Sequence, residues 1–175
     1  MSKISSSVKK PHINFIGNSS VDVTGSCHQI KFKNYNILLD AGLIQTNNIV
    51  VDYKANRDLV KKVKPREVQY IICSHLHADH IGLLPPLYAK GCQAHIYIPY
   101  GSLSILRIML EDSVKIMQQD ADKLAHKHGI KASPLATPQD VEKVLDRCIE
   151  VQYNEPIQIA EGVTFTYYPF CPNLS

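Results

Sequence analysis

The chain has 175 residues, enough to bury a substantial core, and its 45% hydrophobic and 20% charged residues are those of an ordinary globular protein. A formal net charge of +3 permits a nucleic-acid partner without indicating one, because nucleic-acid-binding domains usually carry a stronger basic imbalance. No apolar run approaches the roughly 20 residues of a transmembrane helix, and the N-terminal residues lack the apolar stretch of a signal peptide. We therefore expect a soluble, cytoplasmic protein without a membrane partner.

Five cysteines are scattered along the chain and form no CxxC pair. An odd number of cysteines in a chain of this size argues against a secreted disulfide framework. We expect each thiol to be a small buried apolar group in a reducing compartment.

A polar lead-in over residues 1–11 is followed by three short strands that the apolar pattern predicts. The dipeptide Lys33-Asn34 suits a tight hairpin turn between the second and third strands, because Asn tolerates positive φ. The third strand is continuously apolar, which indicates a strand covered on both faces. The three predicted strands are Ile13–Gly17, Cys27–Phe32 and Asn36–Asp40.

Strands and helices alternate after this point, which predicts an α/β layered fold with the sheet inside and the helices outside. Ser102 and Thr137 are expected N-caps, and Pro65 and Gly91 are expected to end the helices before them. The predicted helices are Ala55–Lys64, Leu83–Lys90, a long helix from Ser102 to about Lys127, and one that Thr137 opens. The predicted strands are Val68–Ser74, Ala94–Pro99, Ile149–Tyr153, Pro156–Ile159 and Val163–Tyr168.

Four candidate metal ligands lie within six residues, directly after a strongly apolar strand: His75, His77, Asp79 and His80. Imidazole and carboxylate are the ligands that Zn²⁺ takes in sites that activate water. In an extended loop, His75 and His77 project to the same side and can hold one ion. Asp79 and His80 follow where the chain turns and can address a second ion. Desolvating four such groups beside a core strand requires a metal or dense hydrogen bonding. The spacing therefore predicts two ions about 3.5–4 Å apart that share one water.

The motif HLHADH at residues 75–80 is identified as a signature of the metallo-β-lactamase superfamily. Three segments resemble the N-terminal half of one branch of it, the β-CASP ribonucleases, which include the RNA cleavage-and-polyadenylation endonuclease. They are VTGSCH at residues 23–28, ILLDAGLIQ at 37–45 and SHLHADHIGLLPPLY at 74–88. The stretch LEDS at residues 110–113 resembles part of the long helix of that branch. The resemblance runs over roughly residues 12–168.

The resemblance implies a metallo-β-lactamase-type αββα fold and a phosphodiesterase that acts on RNA through two zinc ions. It assigns His75 and His77 to one ion and Asp79 and His80 to the other. It also gives Asp79 a catalytic part, because the equivalent aspartate helps to orient the attacking water.

Two further residues are expected to support the ligands from behind, as such groups do in metal sites. Asp40 matches the aspartate that orients the histidine loop in the family, although on the residues alone a turn-capping aspartate is an equal interpretation. His28 belongs to the VTGSCH segment and lies either near the metal loop or as a hydrogen-bonded histidine within a strand. Gly25, in the same segment, is expected to serve a tight backbone turn near the site.

Lys61, Lys62, Lys64 and Arg66 form a basic cluster. Its side chains can contact phosphates, and a solvated helix face is the alternative interpretation.

The sequence departs from the family pattern at its far end. The family has a third histidine after a strand like the one predicted at Val163–Tyr168, whereas residues 169–175 contain no histidine. The later bridging aspartate, the final histidine and the β-CASP domain are also not in the sequence. Each ion would keep two protein ligands, while catalytic zinc normally has about three plus water. Cys171 is either a substitute thiolate ligand or a packing residue.

Residues 12–175 are therefore expected to form a partial metallo-β-lactamase domain, either a fragment of a longer nuclease or a truncated product with little activity. Three functions remain open: a zinc-dependent β-CASP-type ribonuclease, another hydrolase of the superfamily acting on DNA, a thioester or a lactone, and an inactive remnant. The VTGSCH segment argues against the second. RNA is the expected partner, and a homodimer is a further alternative.

Overall fold

The computed structural model describes residues 10–17 and 24–169. Within these ranges the chain forms strands and helices in the alternating order that the sequence predicts. The strands are β1 (His12–Phe15), β2 (His28–Phe32), β3 (Tyr35–Leu39), β4 (Tyr70–Ile72), β5 (His95–Pro99), β6 (Cys148–Val151), β7 (Ile157–Ala160) and β8 (Val163–Phe165). The helices are α1 (Ile49–Val63), α2 (Ala78–Ile81), α3 (Leu84–Ala89), α4 (Leu103–His128) and α5 (Pro138–Leu145).

Six strands form one mixed sheet in the order β1-β2-β3-β4-β5-β6. β1, β2 and β3 are antiparallel neighbours, and β3 to β6 are parallel to one another. The predicted turn between β2 and β3 is confirmed, but its positive φ of 51° falls on Lys33 and not on the expected Asn34. β7 and β8 pair separately as an antiparallel hairpin.

Each face of the six-stranded sheet is covered by a different layer. On one face, core side chains such as Leu38 and Ile96 pack against helix residues such as Leu59 and Leu106. On the other face, β3, β4, β5 and β6 pack against the hairpin and Tyr167. This arrangement confirms the predicted α/β layered class and explains the continuously apolar third strand. No described helix is both long enough and apolar enough to cross a membrane.

The predicted start of α1 and the predicted cap of α4 need correction. α1 begins at Ile49, six residues before the predicted start, because the side chain of Asn48 accepts hydrogen bonds from the N–H groups of Val50 and Val51 at 3.0 and 3.2 Å. α4 follows Ser102 as predicted, but that serine side chain makes no capping bond. The side chain of Glu150 accepts from the backbone N–H of Leu103 at 3.0 Å instead.

The predicted N-cap of α5 is confirmed. The backbone N–H of Thr137 donates to the carboxylate of Asp140, and the backbone N–H of Asp140 faces the side-chain oxygen of Thr137, which together form a capping box. The Thr137 hydroxyl also donates to the same carboxylate at 2.8 Å. The remaining predicted strands and helices are present with ends that shift by at most three residues, as Ile13–Gly17 shifts to β1 and Ile149–Tyr153 to β6.

Candidate metal site

The candidate ligands lie where the sequence predicts, beyond the carboxyl end of β4 in the middle of the sheet. His75 lies in the extended segment after β4, and His77 is the residue that precedes α2. Asp79 and His80 lie within α2, a short helix that the sequence analysis describes only as a turn of the chain. The two histidines before α2 are exposed, and the two residues within it are half-buried.

The four side chains converge. The Nε2 atom of His75 lies 3.2 Å from Nδ1 of His77, and the rings of His75 and His80 have centroids 3.9 Å apart. The Nε2 atom of His80 lies 3.5 Å from a carboxylate oxygen of Asp79. The pKa of His75 is lowered from its ordinary value, first by partial loss of solvent around the ring and then by the neighbouring imidazoles of His80 and His77. This shift favours the neutral imidazole, which is the form that binds metal.

Asp40 is buried, with 4% of its surface exposed, and its carboxylate contacts three segments of the site. It accepts hydrogen bonds from the backbone N–H of Ser74 at 2.7 Å, from the Ser74 hydroxyl at 2.9 Å and from the Ser26 hydroxyl at 3.2 Å. Nδ1 of His80 lies 2.8 Å from the same carboxylate. Because a carboxylate accepts hydrogen bonds, this contact favours the tautomer with the proton on Nδ1 of His80. In that tautomer the lone pair of Nε2 is available to bind a metal.

Backbone hydrogen bonds hold α2 against the turn that follows β3. The N–H groups of Ala41 and Leu43 donate to the carbonyls of His80 and Ala78 at 2.7 and 3.1 Å, and the N–H of Ser26 donates to the carbonyl of Asp79 at 2.9 Å. The backbone of α2 therefore contacts both the turn after β3 and the segment that precedes β2.

Gly42 lies at this contact, where a Cβ atom would overlap the carbonyl oxygen of Asp79. Gly42, Ser26 and Ser74 are not among the predicted site residues, although all three lie in the quoted motifs. Of the three, Gly42 could have been found from the sequence, because it ends the turn signal Asp40-Ala41-Gly42.

The structure places His28 on β2, opposite Leu39 and therefore next to the strand end that leads into Asp40. Its ring packs edge-on against Phe15 at a centroid distance of 5.0 Å. Gly25 has a φ of 78°, which confirms the predicted tight turn. Val23 lies outside the described residues.

Three cysteines, Cys27, Cys73 and Cys92, are fully buried and free, as predicted. Burial, followed by the charge of Asp40, raises the pKa of Cys27 to about 12. Cys148 is only half-buried, which corrects the prediction for that residue. Cys171 lies outside the described residues, so its alternatives stay a prediction.

Within residues 10–17 and 24–169, no three side chains of His, Cys, Asp or Glu are placed so that they could hold one ion. The imidazoles and the carboxylate fit a divalent metal in their chemistry, and Asp40 orients one of the imidazoles as such sites require. The donor groups of the motif therefore lie in two pairs, His75 with His77 and Asp79 with His80.

The family model of the metallo-beta-lactamase superfamily matches residues 22–137, which is more than half of the 175 residues. The chain belongs to this superfamily. Its fold family implies a divalent metal, and the motif at residues 75–80 lies within the matched segment.

Several curated relatives are named as ribonucleases or as a cleavage and polyadenylation factor. Ribonuclease TTHA0252 from Thermus thermophilus is 28% identical over 138 residues, covering 79% of this chain and 28% of the relative. Endoribonuclease YSH1 from Eremothecium gossypii is 27% identical over 150 residues, covering 85% and 18%. Cleavage and polyadenylation specificity factor subunit 3-I from Arabidopsis thaliana is 21% identical over 148 residues, covering 84% and 19%. These relatives confirm the resemblance to the β-CASP ribonucleases, and the chain spans less than a third of the length of each.

Proposed function

We propose that this chain carries the metal-binding part of a zinc-dependent ribonuclease that hydrolyses phosphodiester bonds in RNA. The observation that carries the proposal is the convergence of His75, His77, Asp79 and His80 beyond β4. The relatives named ribonuclease and endoribonuclease support RNA as the substrate.

His75 and His77 would hold one ion, and Asp79 and His80 would hold the other. When bound, two such ions polarise the phosphodiester and lower the pKa of the attacking water. The half-buried carboxylate of Asp79 would accept a hydrogen bond from that water and aim it at the phosphorus. His75 and His77 are exposed, so a phosphate group can approach this side of the motif without displacing core residues.

Asp40 would act through the ligands. Its contact with Nδ1 of His80 fixes the ring so that Nε2 is the donor atom, and its contacts with Ser74 fix the start of the loop. We propose a supporting role for His28 as well, because it lies beside the strand end that carries Asp40.

Each pair of side chains leaves coordination positions to be filled, since catalytic zinc normally has about three protein ligands and a water. Cys171 and a second copy of the chain are two sources of the remaining ligands, and we keep the homodimer as a proposal in that sense. We also propose a reducing, cytoplasmic location, which the buried free thiols of Cys27, Cys73 and Cys92 support.

Elemental analysis of the zinc-replete protein, combined with an RNA cleavage assay, tests the proposed function. We expect about two ions per chain and cleavage that a chelator abolishes and zinc restores. The double variant Asp79→Ala/His80→Ala should bind about one ion fewer per chain and lose the cleavage. The matched control Asp122→Ala/His126→Ala changes the same residue types on the exposed face of α4 and should lose neither. RNA cleavage that persists in the Asp79→Ala/His80→Ala variant would contradict the proposal.

A non-catalytic metal-binding chain is the second candidate, and the lack of a three-ligand set within residues 10–17 and 24–169 favours it. In that case zinc would bind but RNA would stay intact at excess zinc. The third alternative, a hydrolase for DNA, thioesters or lactones, would reveal itself by turnover of those substrates with RNA left intact.

A further inference from the structure

A cavity of about 340 Å³ lies between α1 and α3, away from the metal motif. α1 leads through Pro65 into β4, and α3 leads through Lys90 towards β5. The cavity therefore lies towards the edge where these parallel strands begin, whereas the metal motif follows the point where β4 ends. None of the residues that line the cavity belongs to the metal motif.

The cavity combines an apolar floor with a cationic rim. The floor is formed by Val60, Pro65, Pro86 and Leu135, and the rim carries three cationic side chains. These cations are Arg57 and Lys61 of α1 and Lys90 at the end of α3. All three are exposed, so their charged groups are available to a ligand. In the sequence, Lys61 lies in a basic cluster with Lys62, Lys64 and Arg66. The fold places it instead beside Arg57 and Lys90.

The rim has an excess of positive charge. Asp58 is the acidic partner of both α1 cations, with its carboxylate 2.9 Å from Nζ of Lys61 and 3.8 Å from Nε of Arg57. The residues that line the cavity thus include three cations and no acidic side chain, and Asp58 beside it pairs with only two of them. The guanidinium of Arg57 also lies over the ring of Tyr53, 5.9 Å from its centroid, which restricts where this cation points.

A further cation extends the positive surface. The side chain of Arg66 packs against Gly91, directly after Lys90, so it adds its charge to the same edge of the molecule. A ligand that follows this surface would meet positive groups from two helices and the segment between α1 and β4.

We propose that this cavity is a second contact site for single-stranded RNA, at which phosphates pair with Arg57, Lys61 and Lys90. This inference rests on the proposed ribonuclease function. An Arg guanidinium binds phosphate oxygens in pairs, and the apolar floor gives a ribose or base a surface from which water is displaced. A cavity of this volume falls at the lower end of the range for small-molecule sites, about 300–1,000 Å³, which suits one nucleotide unit.

The position of the site predicts a dependence on substrate length. The cavity shares no lining residue with the metal motif, so a dinucleotide bound at the motif leaves the cavity empty. A long RNA can occupy both, and the cavity then lowers the KM of the long RNA while leaving the cleavage of a dinucleotide unchanged.

The test compares two triple variants that remove the same charge. Arg57→Gln/Lys61→Gln/Lys90→Gln changes the rim, and Lys115→Gln/Lys127→Gln/Lys131→Gln changes exposed lysines on and just after α4. Binding of a fluorescent oligoribonucleotide of roughly 16 nucleotides is measured by anisotropy in the presence of chelator, so that the readout is independent of cleavage. Thermal melting of each variant checks that it is folded.

We expect the rim variant to bind RNA about tenfold more weakly and to reduce the slope of log affinity against log salt by about 2, the value for three lost phosphate contacts on a single strand. The α4 variant should retain most of the affinity and the slope. Equal losses in both variants would show a net-charge effect and overturn the site, as would wild-type chain that binds no RNA. Binding of polyglutamate that matches RNA in affinity and is lost in the rim variant would also overturn it, in favour of an acidic protein partner.

The same experiment separates this inference from the proposed function. RNA that binds through the rim but is never cleaved would leave the cavity site intact and remove the ribonuclease proposal. A rim variant that binds and cleaves long RNA as the wild type does would remove only the cavity site.

Discussion

The carboxylate of Asp40 joins three segments that are far apart in the sequence. It contacts Ser26 before β2, Ser74 after β4 and His80 in α2. Asp40 has a φ of 61°, a backbone conformation that Asp tolerates better than most residues. Its position thus depends on both its backbone and its side chain, so the turn-capping and loop-orienting interpretations are compatible in one residue.

Replacing this carboxylate by an amide should weaken metal binding. The Ser74 N–H and Nδ1 of His80 contact different oxygens of Asp40. In Asp40→Asn one of these oxygens becomes an NH₂ group, so one of the two donors loses its acceptor. We expect the zinc affinity to fall by about 10–100-fold, as for other groups that orient metal ligands. Competition with a chromophoric chelator measures the affinity. Asp58→Asn, on the exposed face of α1, is the control, and an unchanged affinity in Asp40→Asn would show that this orientation is unimportant.

At the scale of the elements, Tyr167 ties the β7–β8 side of the molecule to the central strands. Its buried hydroxyl lies 2.8 Å from the carbonyl oxygens of both Cys73 and Tyr97. Burial, and then the neighbouring Cys73, raises the pKa of this hydroxyl, so it stays protonated and donates. Cys73 directly precedes Ser74, and the tyrosine therefore holds the chain at the point where it enters the metal motif.

Removal of this hydroxyl should destabilise the fold. Tyr167→Phe removes the hydroxyl donor from the carbonyl of Cys73, while the carbonyl of Tyr97 keeps the backbone N–H of Cys73. We expect the free energy of unfolding to fall by about 1–2 kcal/mol. Urea denaturation followed by circular dichroism gives the value. Tyr153→Phe removes a hydroxyl from a side chain that is 42% exposed and should change stability much less. Equal effects of the two variants would argue against a specific role for the Tyr167 hydroxyl.

Local signals account for most of the elements, and contacts between distant elements account for the exceptions. The capping box of α5 is encoded within four residues, so Thr137 was recognisable. The cap of α1 at Asn48 is equally local, but the predicted start of this helix at Ala55 missed it. The partner of the first N–H of α4 is Glu150 on β6, which no local pattern around Ser102 reveals.

At the scale of the whole molecule, the buried thiols report on the integrity of the core. Cys27 and Cys73 are fully buried on either side of Asp40 in the sequence, and burial, then the charge of Asp40, raises the pKa of both. A raised pKa keeps the thiol protonated, and the thiolate is the reactive form. Both thiols are therefore protected by exclusion of solvent and by their protonation state.

The native chain should accordingly react slowly with a chromogenic thiol reagent. In a Cys171→Ser background, we expect Cys27, Cys73 and Cys92 to stay unreactive even when the pH equals the ordinary thiol pKa of about 8.5. The half-buried Cys148 should react first. Denaturant should release all four remaining thiols, which provides the control. Rapid reaction of several thiols in the folded protein would contradict the observed core.

The sequence by itself determined the order of strands and helices, the α/β class and the spacing of the candidate ligands, because periodicity and a six-residue motif are local properties of the chain. Only the tertiary structure decided how Gly42 lets the turn after β3 approach Asp79, how Asp40 reaches His80, and how Lys90 joins Arg57 and Lys61 around one cavity. Each of these contacts joins residues that are remote along the chain. Their proximity depends on how the sheet and its helices pack together, and no pattern within one segment contains that information.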